Sequence, residues 1–488
     1  MSIKEKFEDL KLPEFVINEV INDSKIEQVI EEFVSDFIEY SHNLPDQRVV
    51  NEVDQERFDL IKNTNIPKKG RLVKDVVDEM INDVYYYGHN PSHPRYFGFV
   101  PSNVSLLSWL GDILTAAFNR HAGSLANFPV GCNVENQVIE WLCQQAGYDK
   151  KAGGLFVSGG SMANMSALTI ARDKILDEDS WHLGVAYVSG QTHSSVAKGL
   201  RIIGISNQRI RKVPVNKDYQ MDVVALKEMI EADKQKGLLP FVVVASAGTT
   251  NTGSIDPFKE IAKICQEYQI WMHVDGAFGA SVLLSNTYRH LLSGIELADS
   301  ISWDGHKWLF QTYGCGMVLV KEKRDMANAF HVHPEYLKDL ETGDEEALNP
   351  WDLGIELTRP ARGLKLWVTL QTFGSDAISD AIDHGIHLAR LAQRELEKIS
   401  DVEIVSPAQL AMINFRFNPN DYNEKQKDDL NQLISKKIID SGYAGVFTTE
   451  LNGKKVLRIC CINPKTSYED MCNTVKLLNH YYHECTGN

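Results

Sequence analysis

The spacing of apolar residues changes character twice along the chain. In the first ninety or so residues, Ile26, Val29, Ile30, Phe33, Phe37 and Tyr40 recur at steps of three and four, which places them on one face of a helix. That stripe needs a cover, and packing within the chain and exchange with a second subunit both remain open. From about residue 150 to 322 the pattern shortens to the strand-like runs GVAYVSG, FVVVASAG, IWMHVDGA and GCGMVLVK, separated by the helical stretches VVALKEMIEADKQ and PFKEIAKICQEY. This alternation predicts an α/β fold, a mostly parallel sheet with helices on its faces. Asp256 before Pro257 reads as an N-cap followed by a first-turn proline, so a helix is expected to open there. Between Phe330 and Thr358 the segment HVHPEYLKDLETGDEEALNPWDLGIEL has no clear period, with Gly343, Pro350 and Gly354 marking bends. A long aperiodic stretch inside a compact domain is expected to be a lid or a disordered segment. The helix GLKLWVTLQTF follows, and the last hundred residues hold two strand candidates, AMINFRF and KVLRICCIN, among helices. The expected units are an N-terminal helical segment (1–90), a large α/β domain (91–384) and a small C-terminal α+β domain (385–488).

Composition narrows the function classes. Of 488 residues 43% are hydrophobic and 24% charged, ordinary for a chain that buries a sizeable core. A net charge of -16 argues against a nucleic-acid partner, which needs a concentrated basic surface. No apolar run approaches the ~18 residues that would cross a membrane, and the start MSIKEKFEDLKLPEF is too charged for a secretory signal. The expected location is the cytoplasm. The eight cysteines form no CxxC pair and no cluster at metal spacing, so neither disulfide staples nor a metal centre is indicated, and the adjacent Cys460 and Cys461 read as packed thiols.

Four segments carry chemistry. In SWDGHKWLF, Lys307 follows His306 at the end of an apolar run. A half-buried lysine is costly unless its charge is removed, and joining an aldehyde as a Schiff base does so, whereas an isolated His-Lys pair is more often an exposed turn. In IWMHVDGAFGA, Asp275 ends a strand, at the edge where parallel sheets bind ligands. A carboxylate there pairs with a protonated pyridine nitrogen or, more blandly, caps a helix. VSGGSMANMSAL offers Gly159, Gly160 and Ser161 at a helix opening suited to a phosphate, although a lone Gly-Gly-Ser is weak evidence. GQTHSSVAKGL ends a further strand with His193, which would lie flat on an aromatic ring or sit as a satisfied core histidine.

Their joint order reverses these bland readings. Phosphate loop, stacking histidine, threonine loop (Thr249, Thr250), aspartate and lysine succeed one another, each at a strand end. The pattern resembles, over nearly the whole chain, the pyridoxal-dependent decarboxylases that include the aromatic-L-amino-acid and glutamate decarboxylases, and it looks closest to the bacterial tryptophan decarboxylases. The resemblance implies a fold-type I architecture and pyridoxal 5'-phosphate as cofactor. By it, Lys307 would be the Schiff-base lysine with His306 beside it. Asp275 would meet the pyridine nitrogen and His193 would stack on the ring. Gly160, Ser161 and Ser300 would hold the phosphate, and Thr250 and Ala277 would border the ring. Phe99 (in HPRYFGF) and His121 (in AAFNRHAGS) match segments that line the side-chain pocket, a wall partly supplied by a second subunit, which implies a homodimer.

The chain departs from that family at two places. Relatives commonly carry a proton-donating tyrosine in the mobile loop where this chain reads NPWDLG; the candidates here are Trp351, which is a poor proton donor, and Tyr336, earlier in the lid. Many relatives have asparagine where this chain has Asp304, and a carboxylate beside a phosphate is unfavourable. Phe99, His121 and Trp351 suit a flat apolar side chain, so the expected reaction is decarboxylation of an aromatic L-amino acid; the overall resemblance implies tryptophan, giving tryptamine and CO2. A decarboxylase acting on phenylalanine, tyrosine or another amino acid, an aminotransferase or carbon-carbon lyase of the same superfamily, and a binding protein that kept the fold without the chemistry are the alternatives.

Overall fold

The structure, a computed structural model, describes residues 13–331 and 348–487. Two-residue strands β1 (Val50–Asn51) and β2 (Gly88–His89) pair near the N-terminus. The seven strands that follow are β3 (Gly153–Val157), β4 (Gly184–Ser189), β5 (Ile210–Val213), β6 (Leu239–Ser246), β7 (Trp271–Asp275), β8 (Ser300–Asp304) and β9 (Gly316–Val320). They form one sheet in the order β3-β9-β8-β7-β6-β4-β5. Only β9 runs against its neighbours; β8, β7, β6, β4 and β5 pair in parallel. Strands β3, β7, β8 and β9 are buried along their whole length, because helices cover both faces, and this is why they read as short apolar runs. The expected α/β fold is the one found.

Side chains alternate across each strand. On β7 and β8, Met272, Val274, Ile301 and Trp303 join the larger apolar core on one face. Trp271, His273 and Asp275 occupy the opposite face. The register His273↔Ser300 and Asp275↔Ser302 lays Ser300, Ser302 and Asp304 beside them. Helix Gly160–Ile175 packs over β7 and β8, so this polar row is roofed rather than solvated.

The C-terminal part contains four antiparallel strands rather than two: β10 (Val402–Gln409), β11 (Met412–Phe417), β12 (Phe447–Leu451) and β13 (Lys454–Cys460), in the order β10-β11-β13-β12. The additional strands lie at the two edges and are half-exposed, so their polar residues and Pro407 masked the signal. The boundary expected at 384/385 falls inside helix Leu364–Leu396, which turns at Gly374 (φ 78°). A helix does begin beside Pro257, at Phe258, but Asp256 does not cap it. Its carboxylate accepts from Met221 N and Ser246 N, both at 2.7 Å, and burial pushes its pKa up to about 6. At the other end of the chain, helix Glu14–His42 lays Phe37 on Trp109 (centroids 4.6 Å apart) yet leaves Ile30 56% exposed. Among the described residues no helix is long and apolar enough to cross a membrane.

Candidate active site

The parallel strands end at one edge, and five of them lead into segments that carry functional groups. β3 leads into Gly159 and Gly160, β4 into His193, β6 into Thr249 and Thr250, β7 ends on Asp275, and β8 leads through Asp304 to Lys307. Together they line a cleft of about 430 Å³, at the position where open α/β sheets bind ligands.

Asp275 is held by three donors. Asn164 Nδ2 reaches Oδ2 at 3.1 Å, while Ala277 N (3.2 Å) and Ser302 Oγ (3.3 Å) reach Oδ1. His193 sits at the N-cap of helix Ser194–Ile202, its Nδ1 accepting from Ser195 N at 3.2 Å and lying 2.8 Å from Ser195 Oγ. Lys307 Nζ lies 3.0 Å from Asp304 Oδ2, and His306 Nε2 lies 3.7 Å from the same oxygen. Desolvation lowers the His306 pKa. Asp304 is buried, and its second oxygen, Oδ1, has no hydrogen-bond partner.

Of the residues expected from sequence, Gly160, Ser161, His193, Thr250, Asp275, Ala277, His306 and Lys307 all line this cleft. Ser300 does not, and its assignment to a phosphate is corrected. It opens β8, at the far end of the strand from Lys307, where its hydroxyl accepts from Trp271 Nε1 (2.8 Å) and lies 2.9 Å from His273 Nδ1. Phe99, His121 and Trp351 lie outside the cleft of this chain. Phe99 is 63% exposed on a neighbouring groove that shares Thr250. Trp351 is not on a free lid: it is 7% exposed, with its backbone N–H donating to Gly123 O (3.0 Å) and its ring edge on His121. Tyr336 lies outside the described residues. Sequence reading missed Asn164, Ser195 and His273, although the alternations W-M-H-V-D and S-I-S-W-D were a readable sign that one strand face is polar.

The arrangement fits a phosphorylated aromatic aldehyde. Helix Gly160–Ile175 opens on Gly159 with no side-chain cap, leaving its first N–H groups for an anion. Gly160 is needed there, since a Cβ would come within 2.8 Å of Asp304 Oδ2 and 3.1 Å of Ala277 Cβ. An amine, a carboxylate held by three donors and an uncapped helix end therefore face one cavity, which defines a covalent-cofactor enzyme.

Comparison with known proteins gives the class its name: residues 56–418 match the pyridoxal-dependent decarboxylase conserved domain, and the chain belongs to that family. It is a carboxy-lyase that uses pyridoxal phosphate. It is 37% identical over 438 residues to an aromatic-L-amino-acid decarboxylase of Bacillus atrophaeus, covering 89% of this chain and 90% of that one. An L-2,4-diaminobutyrate decarboxylase of Acinetobacter baumannii is 31% identical over 83% of each chain. Among solved structures, the Oryza sativa TDC with PLP and tryptamine superposes with a TM-score of 0.90 at 25% identity, over 95% of this chain and 98% of the other.

Proposed function

We propose that this enzyme decarboxylates an aromatic L-amino acid, and L-tryptophan in particular, releasing tryptamine and CO2. The observation that carries the reading is the 37% identity to an aromatic-L-amino-acid decarboxylase across 89% of the chain, joined to a cleft in which Lys307, Asp275 and His193 converge. The likeness to a structure holding tryptamine supports tryptophan.

Pyridoxal phosphate, when bound, supplies the electron sink for the carbanion left by departing CO2. Lys307 would hold it covalently and be displaced by the substrate amine. Asp275, fixed by its three donors, would meet the ring nitrogen. His193 would stack on the ring, with Thr250 and Ala277 at its borders and His306 beside the lysine. Gly160 and Ser161 would hold the phosphate. Tyr336, which lies outside the described residues, would give the proton to the substrate carbon. The side-chain wall would be completed across a homodimer, which accounts for Phe99, His121 and Trp351 lying outside the cleft of their own chain. The exposed Leu110, Ile113, Leu114, Phe118 and Val130 support such a contact.

Assay against tryptophan, phenylalanine, tyrosine and L-2,4-diaminobutyrate, measuring amine and CO2, tests the reading. Tryptamine is expected as the main product, and borohydride should fix the cofactor on the peptide containing Lys307. Preferred turnover of diaminobutyrate, or keto acid in place of amine, would overturn it.

A further inference from the structure

Five buried side chains, reaching from the cleft wall into the interior, have hydrogen-bond roles that run in one direction. An indole N–H can only donate, so Ser300 Oγ accepts from Trp271 Nε1 at 2.8 Å and turns its own proton to His273 Nδ1 at 2.9 Å. From the opposite end, the Asp275 carboxylate can only accept. Asn164 must therefore present Nδ2 to it at 3.1 Å, which turns Oδ1 toward His273 Nε2 at 2.9 Å. Reversing the amide would set oxygen against carboxylate. The two ends meet on His273 without conflict: Nδ1 accepts, Nε2–H donates, and the ring is neutral. Full burial, which pushes its pKa down to about 4, agrees with that state.

Asn164 is also a branch point. Its second amide proton goes to Ser195 Oγ at 3.1 Å, so the serine proton is free for His193 Nδ1 at 2.8 Å. With Ser195 N–H donating to the same atom at 3.2 Å, Nδ1 is a double acceptor and the neutral His193 ring carries its proton on Nε2.

We propose that Trp271, Ser300, His273 and Asn164 form a one-way hydrogen-bond chain that aims the Asp275 carboxylate into the cleft and fixes the tautomer of His193, so that His273 and Asn164 are positioning residues for the cofactor ring. The inference rests on the cofactor reading above. The branch from His273 through Asn164 to Asp275 acts through atoms that the ring nitrogen meets, so its loss should be felt only by a ligand that has that nitrogen, while the Asn164–Ser195 contact to His193 is kept.

The test compares binding of pyridoxal phosphate and of its 1-deaza analogue, in which carbon replaces the ring nitrogen, to the cofactor-free protein. In His273→Phe, which removes the neutral hydrogen bond to Asn164 Oδ1, the dissociation constant for pyridoxal phosphate should rise by up to about tenfold, while that for the deaza analogue stays at the parent value. His273→Gln, which keeps a donor toward Asn164, should restore binding. Ser300→Ala, a smaller change that is less disruptive to folding, should show the same selectivity with a smaller effect. Equal weakening of both ligands, or no weakening of either, would overturn the proposal. A parent protein that binds neither ligand at Lys307 would instead refute the cofactor assignment.

Discussion

Glu135→Gln should be among the most destabilising single substitutions outside the cleft. Glu135 Oε2 accepts from Arg359 Nη1 at 2.7 Å, and Oε1 accepts from Gly363 N at 2.6 Å. The guanidinium also donates to Ala122 O (2.9 Å) and Phe156 O (3.1 Å). Side-chain exposure is 0% for Arg359 and 4% for Glu135, so the pair has no access to water. Glutamine keeps the acceptor for Gly363 but turns an amide donor on the guanidinium, leaving a buried charge without its counter-charge. Breaking a buried pair from one side costs about 3–5 kcal/mol, whereas an exposed pair contributes about 0–1. Equilibrium denaturation should show this loss for Glu135→Gln and for Arg359→Met separately. The double variant should lose less than the sum, because the partners couple. The same pair ties down the loop after His121, since Ala122 N donates to Arg359 O and Gly123 O accepts from Trp351 N; the variant should also become more open to protease there. A loss below about 1 kcal/mol would refute the claim that the charge is uncompensated, and strict additivity would refute direct coupling.

Two further outcomes follow from the titratable groups. Asp304→Asn should tighten binding of pyridoxal phosphate, and of inorganic phosphate as a competitor, by about three- to tenfold, because it removes an unpartnered carboxylate oxygen beside the uncapped helix end; weaker binding in a competition titration would contradict this. His93 is buried, and burial followed by the Arg95 charge holds its pKa down at about 4, below the ordinary 6.5. The unfolded chain therefore takes up this proton first as the pH falls. Stability should drop between about pH 6.5 and 4, with a slope of up to ~1.4 kcal/mol per pH unit for each such proton, and His93→Gln should flatten it. Denaturation midpoints at pH 7, 6 and 5 with an unchanged slope in the variant would rule this out.

What the sequence made legible was what repeats or what chemistry constrains tightly. Apolar runs separated by helical stretches revealed the parallel sheet, and residues at strand ends revealed most of the cleft, because the end of a strand fixes where a side chain emerges. Ser300 shows the limit. It lies one strand-length before Asp304, and only the register against β7 shows that its hydroxyl meets Trp271 and His273 rather than the cleft. Asn164 was hidden for a similar reason: a polar residue one turn into a helix looks solvent-facing until the sheet beneath is known. Trp351 stands in a polar, aperiodic stretch, and its burial comes from contacts more than 200 positions away in the chain, which no local pattern records.

The shared register of β7 and β8 also bears on how such a chain can change over evolutionary time. Because each polar row occupies every second position, loss or gain of one residue in either strand would exchange Trp271, His273 and Asp275 for Met272 and Val274. It would turn a polar wall into grease and bury carboxylate and imidazole in the hydrocarbon core. Length variation is therefore forbidden to these ten residues and pushed into the loops that follow them. Lineages descending from this scaffold can alter what they act on by remodelling those loops, while the floor beneath stays frozen in step.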